Sequence, residues 1–398
     1  MEPVTHILTG ACLARSGLNR RAAYATLTMA IAAEFPDIDT LWSLRGPVEG
    51  FTHHRGITHT FLGLPFEAAL VVAAVYGLHR WRMSRASRDA AMHPADTLHV
   101  QKPLTAAPVR WDLLYGFALL ALLSHLLLDY TNNYGLRPFY PFNDHWYAAS
   151  IVFIVDPWIL LLLAGALIVP LIFKLVGSEI GARRQVFRGR GWAIAALLGV
   201  VGWWTLREVQ HEKAVQLAMA QSLAMPVAAP VAPATEEDST QPLPDEPPPV
   251  YLPAARTLAS PDPISPFRWS AATDFGPVIQ LAEIDTRNAA VVAGANTYPK
   301  PPDTAMVRTA LASPLGRAYM DWSPMPIVDV SQPKDGPAAE DSGDPGAAGL
   351  TVVSFRDPRF MGGWMQENHH SALTGTVWLD SAGHIVRQSM DGRTEPSR

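Results

Sequence analysis

The sequence predicts a mainly α, polytopic membrane helical bundle with a re-entrant or short N-terminal helical pair, followed by a Pro-rich linker and a small α+β C-terminal domain. Three observations predict it. The 398 residues are 48% hydrophobic and only 17% charged, too apolar and too poor in charge for an ordinary soluble domain. Mean hydropathy is nevertheless close to neutral, so the apolar residues must be unevenly placed. Long apolar runs fill the first half, while the second half is rich in Pro, Ala, Asp and Ser.

Composition also excludes several classes. A net charge of −5, with no long basic tract or basic face interleaved with aromatics, argues against nucleic acid as a partner. The single cysteine, Cys12, excludes an intramolecular disulfide and a cysteine-based zinc site. Met1-Glu2-Pro3 lacks a basic leader, so no cleavable signal peptide is expected and the internal apolar segments must drive insertion.

In chain order, Thr5 to Ala14 and Ala22 to Ala33 are short Ala-rich helices, each too short to cross about 30 Å of hydrocarbon alone. They are separated by Arg15, Arg20 and Arg21. A half-buried or re-entrant pair fits, with a surface amphipathic hairpin as the alternative. Four spans are expected after them: Thr60 to His79, Leu113 to Thr131, Ile151 to Phe173 and Trp192 to Leu206. The last is only 15 residues long and is edged by Trp192, Trp203 and Trp204 as interfacial anchors. The loops holding Arg80 to Arg110 and Lys174 to Arg190 are basic, hence cytoplasmic.

Metal-ligating side chains crowd into one stretch between these elements. Glu34, Asp37, Asp39, His53, His54 and His59 offer carboxylate oxygens and imidazole nitrogens, a mixture that suits zinc or manganese. His125 and Asp129 stand at i, i+4 inside an apolar helix, on one face. With the basic loops inside, the start of the first span and the end of the second lie outside. His53 to His59, His125 and Asp129 then converge at the outer membrane face. Turning the short pair through Arg15 to Arg21 on the inner side brings His6, Glu34, Asp37 and Asp39 there as well.

Beyond Leu206, residues 207–225 are polar and helix-compatible. Pro226 to Pro266 then holds twelve prolines and the acidic patch Glu236-Glu237-Asp238, the composition of an extended tether. Pattern returns after Phe267. Val278 to Ile284 and Leu350 to Phe355 suggest strands, Thr376 to Val386 a hairpin with a Gly-containing turn, Met306 to Met320 a helix, and Ser331 to Gly349 a loop. The expected units are residues 1–207, the membrane-embedded part; 208–266, helical extension and linker; and 267–398, an extracytoplasmic domain able to bind an envelope partner.

Over roughly the first 145 residues the chain resembles the YdjM-like family of inner-membrane, predicted metal-dependent hydrolases. The likeness rests on Thr5-His6 with Gly10, Glu34-x-Pro36-Asp37-x-Asp39, His54-Arg55-Gly56-x-Thr58-His59, and His125-x-x-x-Asp129 followed by Asn133-Tyr134-Gly135 and Pro141-Phe142. The resemblance implies a bacterial inner-membrane protein with a divalent metal site built from these positions, and between His53 and His54 it favours His54. The His-x-x-x-Asp helix and the carboxylate-rich set are also loosely similar to zinc-dependent phospholipase C and its related nucleases.

The residue roles follow. His6, Asp37, His54, His59, His125 and Asp129 are the candidate metal ligands, because ionisable groups beside apolar segments are costly unless they serve a function. Glu34 and Asp39 serve either as a general base or as acceptors that cap a helix or orient a ligating imidazole. Arg55 either binds a phosphate or carboxylate or pairs with a site carboxylate. Hydrolysis of a lipid phosphoester at the outer face, with membrane lipids as partners, fits best. A scaffold with a structural metal site is the alternative. Glu67 and Asp156 raise an ion transporter as a third reading.

Overall fold

The computed structural model describes residues 1–92, 107–179, 189–225, 249–332, 349–362 and 372–396. The N-terminal region is mostly helical. Helix α1 (Pro3–Arg15) starts on Glu2, whose carboxylate accepts from Thr5 N at 2.7 Å. It packs on α2 (Ala25–Glu34) at a close crossing. The crossing needs a glycine: a Cβ on Gly10 would run into the Met29 carbonyl and lie 2.8 Å from Ala33 Cβ.

After α2 the chain tightens into a 3-10 stretch, Phe35–Arg45, with a Pro in its first turn. Helix α3 (Pro47–His53) and a 3-10 turn, Ile57–His59, lead to α4 (Leu64–Met92). The first expected span therefore starts at Leu64 rather than Thr60. Thr60 is used in the turn before it: its hydroxyl donates to Ile57 O at 2.7 Å and accepts from Gly63 N at 3.0 Å.

Helix α5 (Trp111–Thr131) matches its expectation closely. Helix α6 (Pro157–Glu179) starts six residues later than expected, for two reasons. Ile151 and Val152 donate to Thr131 O, at 3.0 and 3.1 Å, and Asp156 caps the helix through Trp158 N and Ile159 N. Helix α7 (Arg190–Met219) runs on through Arg207, so the expected last span and polar extension form one helix. Among the described residues, α5 and α7 are each long and apolar enough to cross a membrane. A third span exists if α3 through α4, bent by 88°, is one broken span, and Pro157–Phe173 is a shorter apolar helix. Large apolar side chains such as Leu70, Leu127, Leu161 and Leu198 are exposed on these helices, where hydrocarbon and not water would be their solvent.

The C-terminal region is rich in antiparallel sheet. Strand β1 (Ser222–Met225) pairs with β2 (Val250–Pro253). A four-stranded meander holds β3 (Arg256–Pro261), β4 (Arg268–Asp274), β5 (Val278–Asp285) and β6 (Ala290–Pro299). A five-stranded meander holds β7 (Ile327–Ser331), β8 (Thr351–Arg356), β9 (Gly375–Leu379), β10 (Ile385–Met390) and β11 (Arg393–Pro396). The expected strands at Val278, Leu350 and Thr376 and the hairpin turn, with Gly383 at φ +86°, are present.

Two expectations change. The helix foreseen from Met306 to Met320 is two, α8 (Ala305–Ala312) and α9 (Pro314–Trp322), because Ser313 is extended and caps the second while Pro314 begins it. The described end of the proline-rich stretch is also not a tether. Its residues form β2 and β3, and Arg207 on α7 donates to the carbonyls of Asp262 and Ser265 at 2.6 and 2.7 Å. Glu236-Glu237-Asp238 and residues 333–348 of the expected loop lie outside the described residues.

The sheets pack directly against the loop that follows α5. Trp322 Nε1 donates to Tyr134 O at 3.2 Å, Arg359 donates to Asn133 O at 2.9 Å, and one apolar cluster joins Val48 and Tyr134 to Tyr319, Trp322 and Phe355.

Candidate metal centre

Four short pieces of chain meet at the end of α5. On α5 the i, i+4 spacing aims His125 and Asp129 the same way. The 3-10 stretch contributes Asp37, and the Ile57–His59 turn contributes His59. His59, His125 and Asp129 are fully buried and Asp37 is partly so.

The donor atoms of these four residues converge. His59 Nε2 lies 3.3 Å from Asp37 Oδ1 and 3.4 Å from Asp129 Oδ2. His125 Nε2 lies 3.7 Å from Asp37 Oδ1, 3.4 Å from Asp129 Oδ2 and 3.1 Å from His59 Nε2. Ligands held at about 2.0–2.2 Å from one cation are separated by about 3.0 Å in an octahedral and about 3.3 Å in a tetrahedral arrangement. The five separations scatter around those values. Asp129 Oδ2 has no hydrogen-bond partner among the described residues although it is buried, a costly state that a cation would relieve. The buried cluster could thus hold a metal ion, with two imidazole nitrogens and two carboxylate oxygens as donors.

Hydrogen bonds on the far side of each ring turn it the right way. His125 Nδ1 donates to Ala33 O at 2.7 Å, which fixes the proton there and leaves the Nε2 lone pair facing Asp129. His59 Nδ1 is 3.2 Å from Asp39 Oδ2. Asp39 is itself fully engaged: it also accepts from Arg55 N at 2.8 Å, Thr58 Oγ1 at 3.0 Å and His54 Nδ1 at 3.1 Å. Burial pushes Asp39 towards protonation, but hydrogen bonds from His54 and His59 outweigh it, and its carboxyl is held well below the ordinary carboxylate range.

The other sequence-predicted residues surround this cluster. His54 belongs to a second group that could hold a cation, with Asp37 and Asp39, rather than to the four-donor one. His6 lies beside the cluster: its ring stacks on His125 with centroids 3.8 Å apart, and its Nε2 is 3.5 Å from Asp129 Oδ1 and 2.9 Å from the Met1 amino group, which also contacts Asp129. Arg55 is held against a cluster carboxylate. Its guanidinium is buried and donates to Asp129 Oδ1 at 2.8 Å and Gly135 O at 2.6 Å, under the Tyr134 ring. Glu34 is half-buried next to the cluster, and its Oε2 has no partner among the described residues. With Asp37 and apolar residues it lines an open groove of about 470 Å³. His53 stands apart, stacked on Trp42 and paired with Glu49.

Sequence reasoning left three contributors without a role. Asn132 Oδ1 accepts from Tyr134 N at 2.8 Å and Asn132 Nδ2 donates to Asp129 at 3.1 Å, shaping the turn in which Gly135 has φ +85°. The Ala33 carbonyl and Thr58 are the others. Asn133-Tyr134-Gly135 figured in the sequence only as part of the family likeness, and only the fold brings that run against Arg55.

Comparison with known proteins bears on the same region. The chain is 26% identical over 168 residues to "Uncharacterized protein YfhP" of Bacillus subtilis (strain 168), an alignment that covers 40% of this chain and 43% of that protein. The chain thus spans less than half the length of the curated relative it matches. No solved structure matches it. The family described as YdjM inner membrane protein matches residues 1–214, more than half of the 398 residues and all four donors of the cluster. The chain belongs to the YdjM inner membrane protein family.

Proposed function

We propose that the protein is a multi-pass, membrane-bound, metal-dependent hydrolase that acts on a lipid or other phosphoester at the outer face of the inner membrane, with its C-terminal region in the periplasm. The observation that carries this reading is the convergence of Asp37, His59, His125 and Asp129 around one point, with Asp129 Oδ2 left unpaired. Zinc and manganese both suit two imidazoles and two carboxylates. A bound cation supplies Lewis acidity, acidifying water and polarising a phosphoryl oxygen.

The chain's own residues do the rest. Asp39 and the Ala33 carbonyl hold the two imidazoles in orientation, and Arg55 offsets the charge on Asp129. Glu34, which lines the groove together with Asp37 and whose buried Oε2 has no partner among the described residues, is placed to accept a proton from water. Asp39, whose oxygens already accept three hydrogen bonds and lie 3.2 Å from His59 Nδ1, is better read as a positioning residue than as the base.

Full burial of His59, His125 and Asp129 supports a second reading, a closed structural site in a membrane scaffold. The open groove at Glu34 and Asp37 favours the enzyme. Transport has less support, since Asp156 caps α6 and accepts from Trp203 Nε1 at 3.0 Å. The test is a screen of phosphoester and phospholipid substrates with purified, metal-supplemented protein. Cation-dependent turnover is expected, and its absence with every metal and substrate would transfer the site to the scaffold. Reporter fusions after Arg88 and after Thr257 should report opposite sides of the membrane; the same side for both would break the topology.

A further inference from the structure

A second cavity, of about 600 Å³, opens beside the cluster on the other side of the Asp37-Ile38-Asp39 turn. Asp37 and Ile38 line the apolar groove, whereas Ile38 and Asp39 line this cavity, so the two spaces adjoin at Ile38. Their linings differ in kind. The groove is made of Ile7, Ala30, Ile31 and Phe35 apart from the two carboxylates. The cavity carries Arg45 and Arg137.

Arg137 points to a ligand. The residue is only 9% exposed; NH1 holds Asp321 at 3.1 Å and the guanidinium lies over the Trp146 and Tyr140 rings, but its Nε has no hydrogen-bond acceptor among the described residues. A buried guanidinium donor without an acceptor is costly. The carboxylate that also faces the cavity, Asp39, does not meet this need, because its oxygens are taken by His54, His59, Thr58 and Arg55 N.

The rim says where the acceptor comes from. Ile38, Leu41, Trp42 and Ile57 line the cavity and are exposed, with Leu41 58% and Ile57 50% accessible. An apolar and aromatic rim of this kind sits at the bilayer surface, the layer in which lipid phosphates lie. We infer that the cavity is the head-group subsite for a lipid phosphate, held by Arg137 and Arg45, with the scissile ester at the Asp37 edge where the two spaces adjoin and the acyl chain running along the apolar Ile7, Ala30, Ile31 and Phe35 side of the groove. The inference rests on the reading of the cluster as a phosphoester hydrolase and assigns the substrate's two ends to two named spaces.

The test is equilibrium binding to the purified full-length protein. The probe is the phosphonate analogue of dihexanoylphosphatidic acid, which a phosphoesterase does not cleave, compared with dihexanoylglycerol and inorganic phosphate. The phosphonate lipid should bind at least about tenfold tighter than either, given one or more charge-assisted hydrogen bonds plus chain burial. Arg137→Gln and Arg45→Gln should each weaken it about tenfold while leaving dihexanoylglycerol binding and metal content unchanged. Arg45→Gln leaves the Arg137–Asp321 pair alone, and Asp321→Asn, which breaks that pair but keeps Arg137, should retain binding. Ala30→Trp, which fills the groove, should weaken both lipids and not inorganic phosphate.

Equal binding of phosphonate lipid and dihexanoylglycerol, or of inorganic phosphate and the lipid, would overturn the assignment. So would indifference to both arginine changes. Arginine-dependent binding without hydrolysis of any phosphoester leaves the head-group assignment standing and removes the enzymatic reading; hydrolysis without arginine-dependent binding does the reverse.

Discussion

Two buried aspartates, Asp129 in the helical region and Asp357 in the sheet-rich region, are handled in opposite ways. Asp357 is fully closed: Oδ1 accepts from Arg359 N at 2.8 Å and Nε at 2.9 Å, and Oδ2 from Arg359 NH2 at 2.8 Å and Ser323 Oγ at 2.5 Å. Asp129 crowds its partners on Oδ1 and leaves Oδ2 bare, facing three other donor atoms. A buried charge with every lone pair used is a structural device, whereas one with an oxygen held open among convergent donors is built to receive something. The same contrast holds at larger scale. The sheet region buries aromatic rings around Trp322 and Phe355, and the helical region buries histidines.

If the open side is the working one, the largest effect belongs to the base proposed there. Glu34→Gln keeps the shape and removes the carboxyl that can take up a proton, so hydrolysis should fall by about 10²- to 10⁴-fold with metal retained. Metal loss in that variant would make Glu34 a ligand, and full activity would exclude it from catalysis.

Asp357→Asn leaves Arg359 buried with a poorer partner and should lower stability by about 3–5 kcal/mol. The folded fraction should still hold its metal, as thermal melting with parallel metal analysis would reveal; metal loss without destabilisation would erase the contrast between the two aspartates. Asp39→Asn removes the acceptor that orients His59 and should weaken metal affinity by about 10- to 100-fold. An unchanged affinity, measured by competition with a chelator, would show that Thr58, whose Oγ1 lies 3.1 Å from His59 Nδ1, suffices to orient the ring.

The smallest effect is expected for Trp322→Phe. It removes one hydrogen bond to Tyr134 O, worth about 1 kcal/mol of stability, and should leave metal affinity within a few fold. A change as large as that of Asp39→Asn would mean that the sheets tune the cluster through Tyr134 and Arg55.

The helical half was the more legible one, and for a physical reason. Transfer to hydrocarbon leaves few choices, so His125 and Asp129 inside Leu-rich sequence stood out at i, i+4, and α5 ends where the apolar run ends. Asp37, His59 and the stacking neighbour His6 were legible as types, but their separate positions, within the four-donor set or beside it, depend on the Gly10 crossing and the turn at Arg55, whose φ is +54°. In the sheet region the alternating runs at Val278 and Leu350 announced β5 and β8. Strand β3 was hidden because it ends at Pro261 in a stretch whose composition reads as a tether, and tertiary pairing with β4 decided it. The α8–α9 break carried its signal in Ser313-Pro314, a cap followed by a helix-starting proline. Arg55's buried partner had none, since Asp129 is far away in sequence.

The central claim is that the open oxygen of Asp129 belongs to a cation site, and metal analysis of the purified full-length protein tests it most directly. Wild-type protein should carry a divalent cation; Asp129→Ala and His59→Ala should each lose it, and His384→Ala, an exposed imidazole paired with Asp380, should retain it. A wild-type protein that takes up no zinc or manganese when supplied, or equal metal content in all four proteins, would contradict the account.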